Sequence, residues 1–421
     1  MADSTFTVPL EDLPMTDRIQ SILSQLDPVL REPREAISLP MECYTSEDWF
    51  EFEKRAVWDK EWICLGHQGT IPNPGDYFSI EINEDPYLVA RDDQGEVRAM
   101  SAVCPHRGHV IGEASGNTRL FVCPYHAWSY DLTGKLVNAP RMEEHASLDE
   151  LRAGHCLPAL RTEIWNGFIF INLDGKAPPL ASRLRRVTKE LENYHFSDLI
   201  GIPVEEYKEN PWNWKSMHEN GLEPYHALYA HKGYHEMAPA ELTVFPEWDE
   251  DDDGAVYDAI KLAHIDASFN PTEKCLLPVI ETLEDRDRWR FVICVVPPSV
   301  LIATLSDLAF YFLVLPHGAN KITLRVGFLF PESTLELPDF RQKYQEILEG
   351  FNIINNQDIS ANTNVHKGKR SRFGNRGRMA PLETSTDHLN RWFVKRYQAY
   401  AKELQRKGRE TEEVMKGRKT A

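Results

Sequence analysis

The chain has 421 residues, a formal net charge of −18, 42% hydrophobic residues and 27% charged ones, which describes a globular protein long enough for two separate cores. That acidity excludes sequence-independent nucleic-acid binding, which needs a basic surface to displace counterions from phosphates. Residues 1–14 lack the basic start and apolar stretch of a secretion signal, and the longest apolar stretch, 291–305, is short for a bilayer and broken by Pro297-Pro298, so a cytoplasmic protein without membrane attachment is expected.

In chain order, Thr45 or Ser46 can cap an amphipathic helix over residues 45–63, with Trp49, Phe52, Val57 and Trp62 as its apolar contacts. Runs at 77–82 and 87–90, separated by polar turns such as 92–95 and 131–134, predict an antiparallel β module that closes with a strand over 167–173. Inside that module lie Cys104-x-His106 and Cys123-x2-His126. Two loops that each offer one thiolate and one imidazole suit a two-iron cluster with unequal ends, in which two Cys hold one iron and two His the other: a Rieske [2Fe-2S] centre. A tetrahedral zinc site also uses Cys2His2 sets, but zinc fingers keep the two Cys in one knuckle and the two His in another. His109 lies outside the pattern and reads as an ordinary loop histidine. The remaining Cys43, Cys64, Cys156, Cys275 and Cys294 have no disulfide-like spacing and read as reduced core residues.

Residues 175–179 read as a linker, after which Leu180, Leu184, Val187 and Leu191 recur at helical spacing and a mixed helix and strand pattern begins. Strands are predicted at 289–296, 301–306, 309–315 and 322–329. The acidic run 247–253 reads as a solvated loop, and 402–421 as a frayed helix end or disordered tail. Between these elements stands Glu223-x2-His226-x4-His231. On a helix Glu223 and His226 would share a face, with His231 supplied by the helix end or a bend. Two imidazoles leave room for a carboxylate from elsewhere, the donor set of a two-His, one-carboxylate iron site. Phe340, Tyr344, Ile347, Phe351 and Ile354 form a helical stripe whose next step is Asp358. An acid in register with an apolar stripe faces the interior, where a cation is its natural partner, so Asp358 is the candidate third ligand.

Both motifs, their order and the gap between them resemble the Rieske non-haem iron ring-hydroxylating oxygenases, specifically the large catalytic α subunit, over nearly the whole chain. The resemblance implies an α+β fold: an N-terminal antiparallel β Rieske domain followed by a helix-grip (START-like) catalytic domain with an antiparallel sheet. It divides the chain into an N-terminal arm and helix packing on the catalytic domain (1–60), a Rieske domain (61–175), a catalytic domain (176–401) and a charged tail (402–421). It assigns Cys104, His106, Cys123 and His126 to the cluster, and His226, His231 and Asp358 to a mononuclear Fe(II), although the family often has an acid where this chain has Gln357. Glu223 matches the family's bridging acid, which joins a cluster histidine of one subunit to an iron histidine of the next in a head-to-tail homotrimer, here His126 and His226. The compact E-N-x-x-E-x-Y-H run from Glu219 to His226 looks more like monooxygenase members that act on quaternary ammonium compounds such as betaine or carnitine.

The chain carries no G-x-G-x-x-G after a predicted strand, so a separate NAD(P)H-dependent reductase, directly or through a ferredoxin, is expected to supply electrons. O2 and a small organic substrate would meet at the iron, with insertion of one oxygen favoured. An aromatic-ring cis-dihydroxylating dioxygenase is the alternative. An electron carrier without catalysis is the remote one, against which length counts, since a carrier needs only about 100 to 150 residues.

Overall fold

The computed structural model describes residues 13–419 apart from Glu113, Lys232, Gly233, Glu250, Asp251 and Pro271, with side chains described to Arg409. The N-terminal arm holds helices α1 (Asp17–Leu23) and α2 (Glu47–Glu53). Ser46 caps α2 by accepting from the Trp49 N–H, and Glu47 and Asp48 place negative charge at its start. The single helix expected over 45–63 stops sooner. After Glu53 the backbone widens into a π turn, Lys54–Trp58, which sends three consecutive residues, Ala56, Val57 and Trp58, into the core; an α-helical period cannot bury three in a row on one face.

Strand β1 (Ile63–His67) follows. Then β2 (Asp76–Ile82), β3 (Asp85–Arg91), β4 (Val97–Ser101) and β5 (Ser115–Asn117) form an antiparallel sheet in the order β4-β3-β2-β5. The short β6 (Phe121–Val122), β7 (Ser129–Tyr130) and β8 (Leu136–Asn138) form a second one. These two sheets enclose a small core of their own that includes Leu88, Met100, Cys104, Cys123, Trp128 and Tyr130. Strands β9 (Arg161–Trp165) and β10 (Phe168–Asn172) return to pair with β1 in the order β1-β10-β9, and this three-stranded sheet shares the larger core with the rest of the molecule.

The C-terminal half is built on an eight-stranded antiparallel sheet: β11 (Ile200–Gly201), β12 (Glu205–Asn210), β13 (Thr243–Val244), β14 (Val256–Lys261), β15 (Arg290–Val296), β16 (Val300–Thr304), β17 (Ala309–Pro316) and β18 (Ile322–Phe330). Its spine runs β18-β17-β16-β15-β14-β13, with β11 and β12 both on β18. An antiparallel sheet with one wet face alternates apolar and polar residues. Here every residue of β16 and β17 is buried, because both faces are covered. Tyr311 packs edge-on against Phe168 of β10 on one side, while Phe310, Phe312 and Phe328 meet Phe351 on the other. Phe351 belongs to the 30-residue helix α5 (Phe340–Lys369), which the sheet grips. Helices α3 (Trp214–Gly221) and α4 (Ala227–Ala230) precede it, and α6 (Thr384–Lys419) closes the chain. The charged end read as a frayed helix or disordered tail is helical to Lys419. None of the described helices is long and apolar enough to cross a membrane.

Two polar clusters fix these parts together. The acidic run is not a solvated loop: Asp252 accepts from the backbone N–H groups of Arg185 and Arg186, and Asp253 bonds Arg183 and Arg396, which both also hold Glu61. Glu250 and Asp251 of that run lie outside the described residues. Deeper in, Lys215 of α3 meets Glu53 of α2 at 2.6 Å with both side chains 0% exposed. Glu53 also accepts from Trp214 Nε1 at 3.1 Å and from the Tyr397 hydroxyl of α6. Removing one partner of a buried pair strands the other charge. Lys215→Ala is therefore expected to lower unfolding stability by about 3–5 kcal/mol in chemical denaturation. The double change Glu53→Gln with Lys215→Met should recover most of that loss, since the new amide can accept from Trp214 Nε1 through its oxygen and donate to the Tyr397 hydroxyl through its NH2.

Candidate metal centres and cavity

The two Cys/His loops have the same backbone. Gly108 N–H donates to the Cys104 carbonyl and Cys104 N–H to the His109 carbonyl, each at 2.9 Å; Ala127 N–H donates to the Cys123 carbonyl at 2.9 Å and Cys123 N–H to the Trp128 carbonyl at 2.8 Å. Each loop turns through a residue at positive φ, Gly108 (φ 76°) and Ala127 (φ 59°), which brings the Cys and His of one loop to the same side. Both thiols are buried, while His126 stays exposed at the rim. The Cys104 Sγ lies 3.2 Å from the Tyr130 hydroxyl. His106 stacks flat on Trp128 at 4.6 Å between ring centroids, and 4.7 Å from His126. Burial, with the charges of His126 and Arg107 nearby, lowers the His106 pKa and favours its neutral, ligating form.

His106 Nδ1 is buried without a hydrogen-bond partner, an orphan that a metal bond would satisfy. Cys104, His106, Cys123 and His126 do not converge on one point: among the described residues, only His226, His231 and Asp358 bring three ligand atoms within 4.8 Å of one another. One tetrahedral zinc would need such convergence, whereas a two-iron cluster spreads its ligands over two metals. The quartet therefore fits the cluster.

The second centre depends on how closely α3 approaches the sheet. A Cβ on Gly221 would stand 2.1 Å from Leu301 Cδ1, so glycine there lets the chain following α3 lie over the sheet's open end. Glu223 and His226 were expected on one helical face, but α3 ends at Gly221 and Pro224 interrupts before α4. Their spacing serves a different purpose. The Glu223 carboxylate accepts the His226 backbone N–H at 2.9 Å and its Nδ1–H at 2.7 Å, fixing both the turn and the ring. His231 ends the single turn of α4, and its Nδ1 bonds Gln357 Oε1 at 2.7 Å. With each Nδ1 so occupied, both Nε2 atoms face inward.

They meet Asp358, which sits well inside α5 with the helix continuing to Lys369, and so is not at a frayed end. The Nε2 atoms are 3.0 Å apart, and Asp358 Oδ1 lies 3.3 Å from His226 and 3.1 Å from His231. Metal bonds of about 2.1 Å at right angles would put neighbouring donors about 3.0 Å apart, so the three atoms have the spacing that a facial set of metal ligands would need. Burial disfavours a charged His226, yet the hydrogen bonds it donates to Asp358 and Glu223 outweigh it and raise its pKa to about 10; burial likewise raises Asp358, and the two imidazoles more than reverse it. Asn220 Nδ2 is 3.3 Å from His226 Nε2 and its Oδ1 accepts from Asn362. Sequence reasoning singled out neither Asn220 nor the bond from His231 to Gln357; the run of Asn and Gln beside Asp358 was the available signal.

The triad borders a cavity of 160 Å³ between α5 and the sheet. Its walls are Phe269, Phe291, Phe310, Phe312, Phe328 and Phe351 with aliphatic neighbours, and the lining runs from Met217 to Asp358. Gln357→Leu should weaken binding of a divalent metal by about 10- to 100-fold, read by competition with a chromophoric chelator; a change under twofold would show that the amide does not orient His231.

A family model of the Rieske [2Fe-2S] domain matches residues 61–155, and one of the ring hydroxylating alpha subunit (catalytic domain) matches residues 190–399. The carnitine monooxygenase oxygenase subunit of Escherichia coli (strain K12) is 35% identical over 204 residues, 48% of this chain and 54% of that protein, so the match spans about half the length of that relative. Among solved structures, the quaternary ammonium Rieske monooxygenase CntA superposes with a TM-score of 0.73 at 24% identity, over 93% of this chain and 99% of that one. Naphthalene 1,2-dioxygenase from Rhodococcus sp. gives 0.74 at 20% identity, over 92% and 99%. At these identities the two structures establish the fold. With a Rieske [2Fe-2S] domain ahead of a mononuclear non-haem iron domain, the chain belongs to the ring-hydroxylating oxygenase α subunits.

Proposed function

We propose that this chain is the oxygenase component of a multicomponent Rieske oxygenase, that it inserts one oxygen atom of O2 into a small organic substrate, and that electrons reach it from a separate NAD(P)H reductase. The observation that carries the reading is the convergence of His226, His231 and Asp358 on the wall of an apolar cavity. An Fe(II) held there, fed by the cluster, supplies O2 reduction beside the substrate. The protein's own part is positional. Glu223 and Gln357 hold the imidazoles in one tautomer, Asp358 contributes the negative charge, and the phenylalanine walls keep water from the reacting carbon. Cys104, His106, Cys123 and His126 hold the cluster. The Escherichia coli relative is named a monooxygenase, which favours one inserted oxygen over two.

A head-to-tail homotrimer follows from the same reading, in which His126 of one subunit meets Glu223 and His226 of the next. His126 is exposed, Glu223 and His226 keep 16% and 22% of their side-chain surface open, and Tyr225 and Tyr229 stand exposed beside them, a surface suited to burial under a second copy. On this reading residues 61–175 form the cluster domain and 176–401 the catalytic one, in a cytoplasmic enzyme. Reconstitution with a surrogate reductase under 18O2 tests the function. About three irons per chain and one labelled atom in the product are expected; a second labelled atom would mean a dioxygenase, and about two irons with no product an electron carrier. Glu223→Gln should keep both metal centres yet lower turnover by at least about 100-fold, as loss of a positioned hydrogen-bonding carboxylate does; turnover equal to wild type would remove Glu223 from the electron path.

A further inference from the structure

One row of side chains crosses the sheet beneath the cavity in strict register: Asp258 pairs with Ile293, Ile293 with Ala303, Ala303 with Phe310 and Phe310 with Phe328. All five line the cavity. Four are apolar, and the first is a carboxylic acid only 1% exposed. Ser385 alone offers it a hydroxyl, in a geometry too loose to satisfy either Asp258 oxygen. A buried carboxyl without a partner is costly and is normally paired. The other acids of the wall are committed, Glu223 to His226 and Asp358 to the two imidazoles. Among the described residues lining the cavity there is no Lys or Arg, and the three histidines are already bonded to Glu223, Asp358, Gln357 and Glu241, so a ligand carboxylate would find no uncommitted cationic side chain.

Burial first, and the charge of Glu223 besides, push the Asp258 pKa well above the ordinary carboxylate range despite the Ser385 hydroxyl. A positive charge in the cavity opposes both effects, and the surrounding phenylalanine faces attract one as well. Size sets a further limit: the 160 Å³ cavity is close to the roughly 150 Å³ that accommodates a benzene ring.

We propose that the cavity selects a small organic cation carrying no carboxylate, and that Asp258 is the specificity-determining residue that reads its positive charge. The proposal rests on the cavity being the substrate site of the oxygenase. It sets this chain apart from a relative named for carnitine, a zwitterion whose carboxylate would meet no uncommitted cationic side chain in this cavity.

Isothermal titration of the iron-loaded enzyme, without reductase, tests charge at constant shape. Phenyltrimethylammonium is compared with tert-butylbenzene, choline with 3,3-dimethylbutan-1-ol, and glycine betaine with choline. Each cation should bind at least about tenfold tighter than its neutral isostere, betaine should bind at least about tenfold weaker than choline, and Asp258→Asn should abolish the preference for charge; each tenfold step corresponds to about 1.4 kcal/mol. Isosteres that bind as well as the cations, an Asp258→Asn enzyme that keeps the preference, or binding of neither cation would each overturn the proposal. If the variant fails to fold, the wild-type comparison of cation with isostere decides alone. Binding is read without turnover, so failure here leaves the oxygenase reading intact, and failure of that reading appears only in the labelled-oxygen experiment.

Discussion

A carboxylate kept inside an apolar fold next to two imidazoles is the constraint around which this molecule is arranged. Asp358 is held there by a helix that cannot shift without moving Ile347 and Phe351 off the sheet, and by a sheet whose strands are buried on both faces. The imidazoles arrive on a segment with almost no helix of its own, so its geometry is set by side chains: Glu223 ties down His226, and Gln357 ties down His231. Consecutive residues of one helix, Gln357 and Asp358, thus grip the two nitrogens of one ring. That coupling of register to ring orientation keeps both Nε2 atoms on the inward face.

Three buried acids show how differently the same chemistry is settled. Glu53 is matched by Lys215 and two neutral donors, so its charge serves to lock the arm onto α3 and α6. Asp358 is matched by histidines that can exchange their shared proton for a metal ion. Asp258 has only the loosely placed Ser385 hydroxyl. A fold that gives the first two acids basic partners has the means to give the third one, which makes the open carboxyl a property of the cavity it faces.

Much of this was legible in the residues. The mixed Cys/His loops carry their chemistry within a few positions, and their shared backbone turn follows from local hydrogen bonding. Strands 290–296, 300–304, 309–316 and 322–330 announce themselves by runs of β-branched and aromatic residues, and the stripe from Phe340 led to Asp358 because helical periodicity persists over long distances. The π turn after Glu53 was not legible, because Ala56, Val57 and Trp58 suit a helix by propensity, and only the core they fill decides the wider turn. Nor was the acidic run, since composition cannot show that Asp252 and Asp253 face arginines far away in sequence.

Gln357 and Asp258 define the boundary more sharply. Gln357 was noted only as the place where an acid is often found, yet an amide oxygen accepts from an imidazole as well as a carboxylate does and adds no second negative charge beside Asp358. Asp258 obeys the rule that found Asp358, an acid in register with buried apolar positions, but on a strand of six residues where the period of two offers only Val256 and Ile260 as companions. A helix of 30 residues repeats its pattern often enough to expose one polar exception. A short strand does not, and the row from Asp258 to Phe328 exists only once four chain reversals have brought its members side by side. Chemistry read along a strand is local, whereas chemistry read across a sheet belongs to the fold.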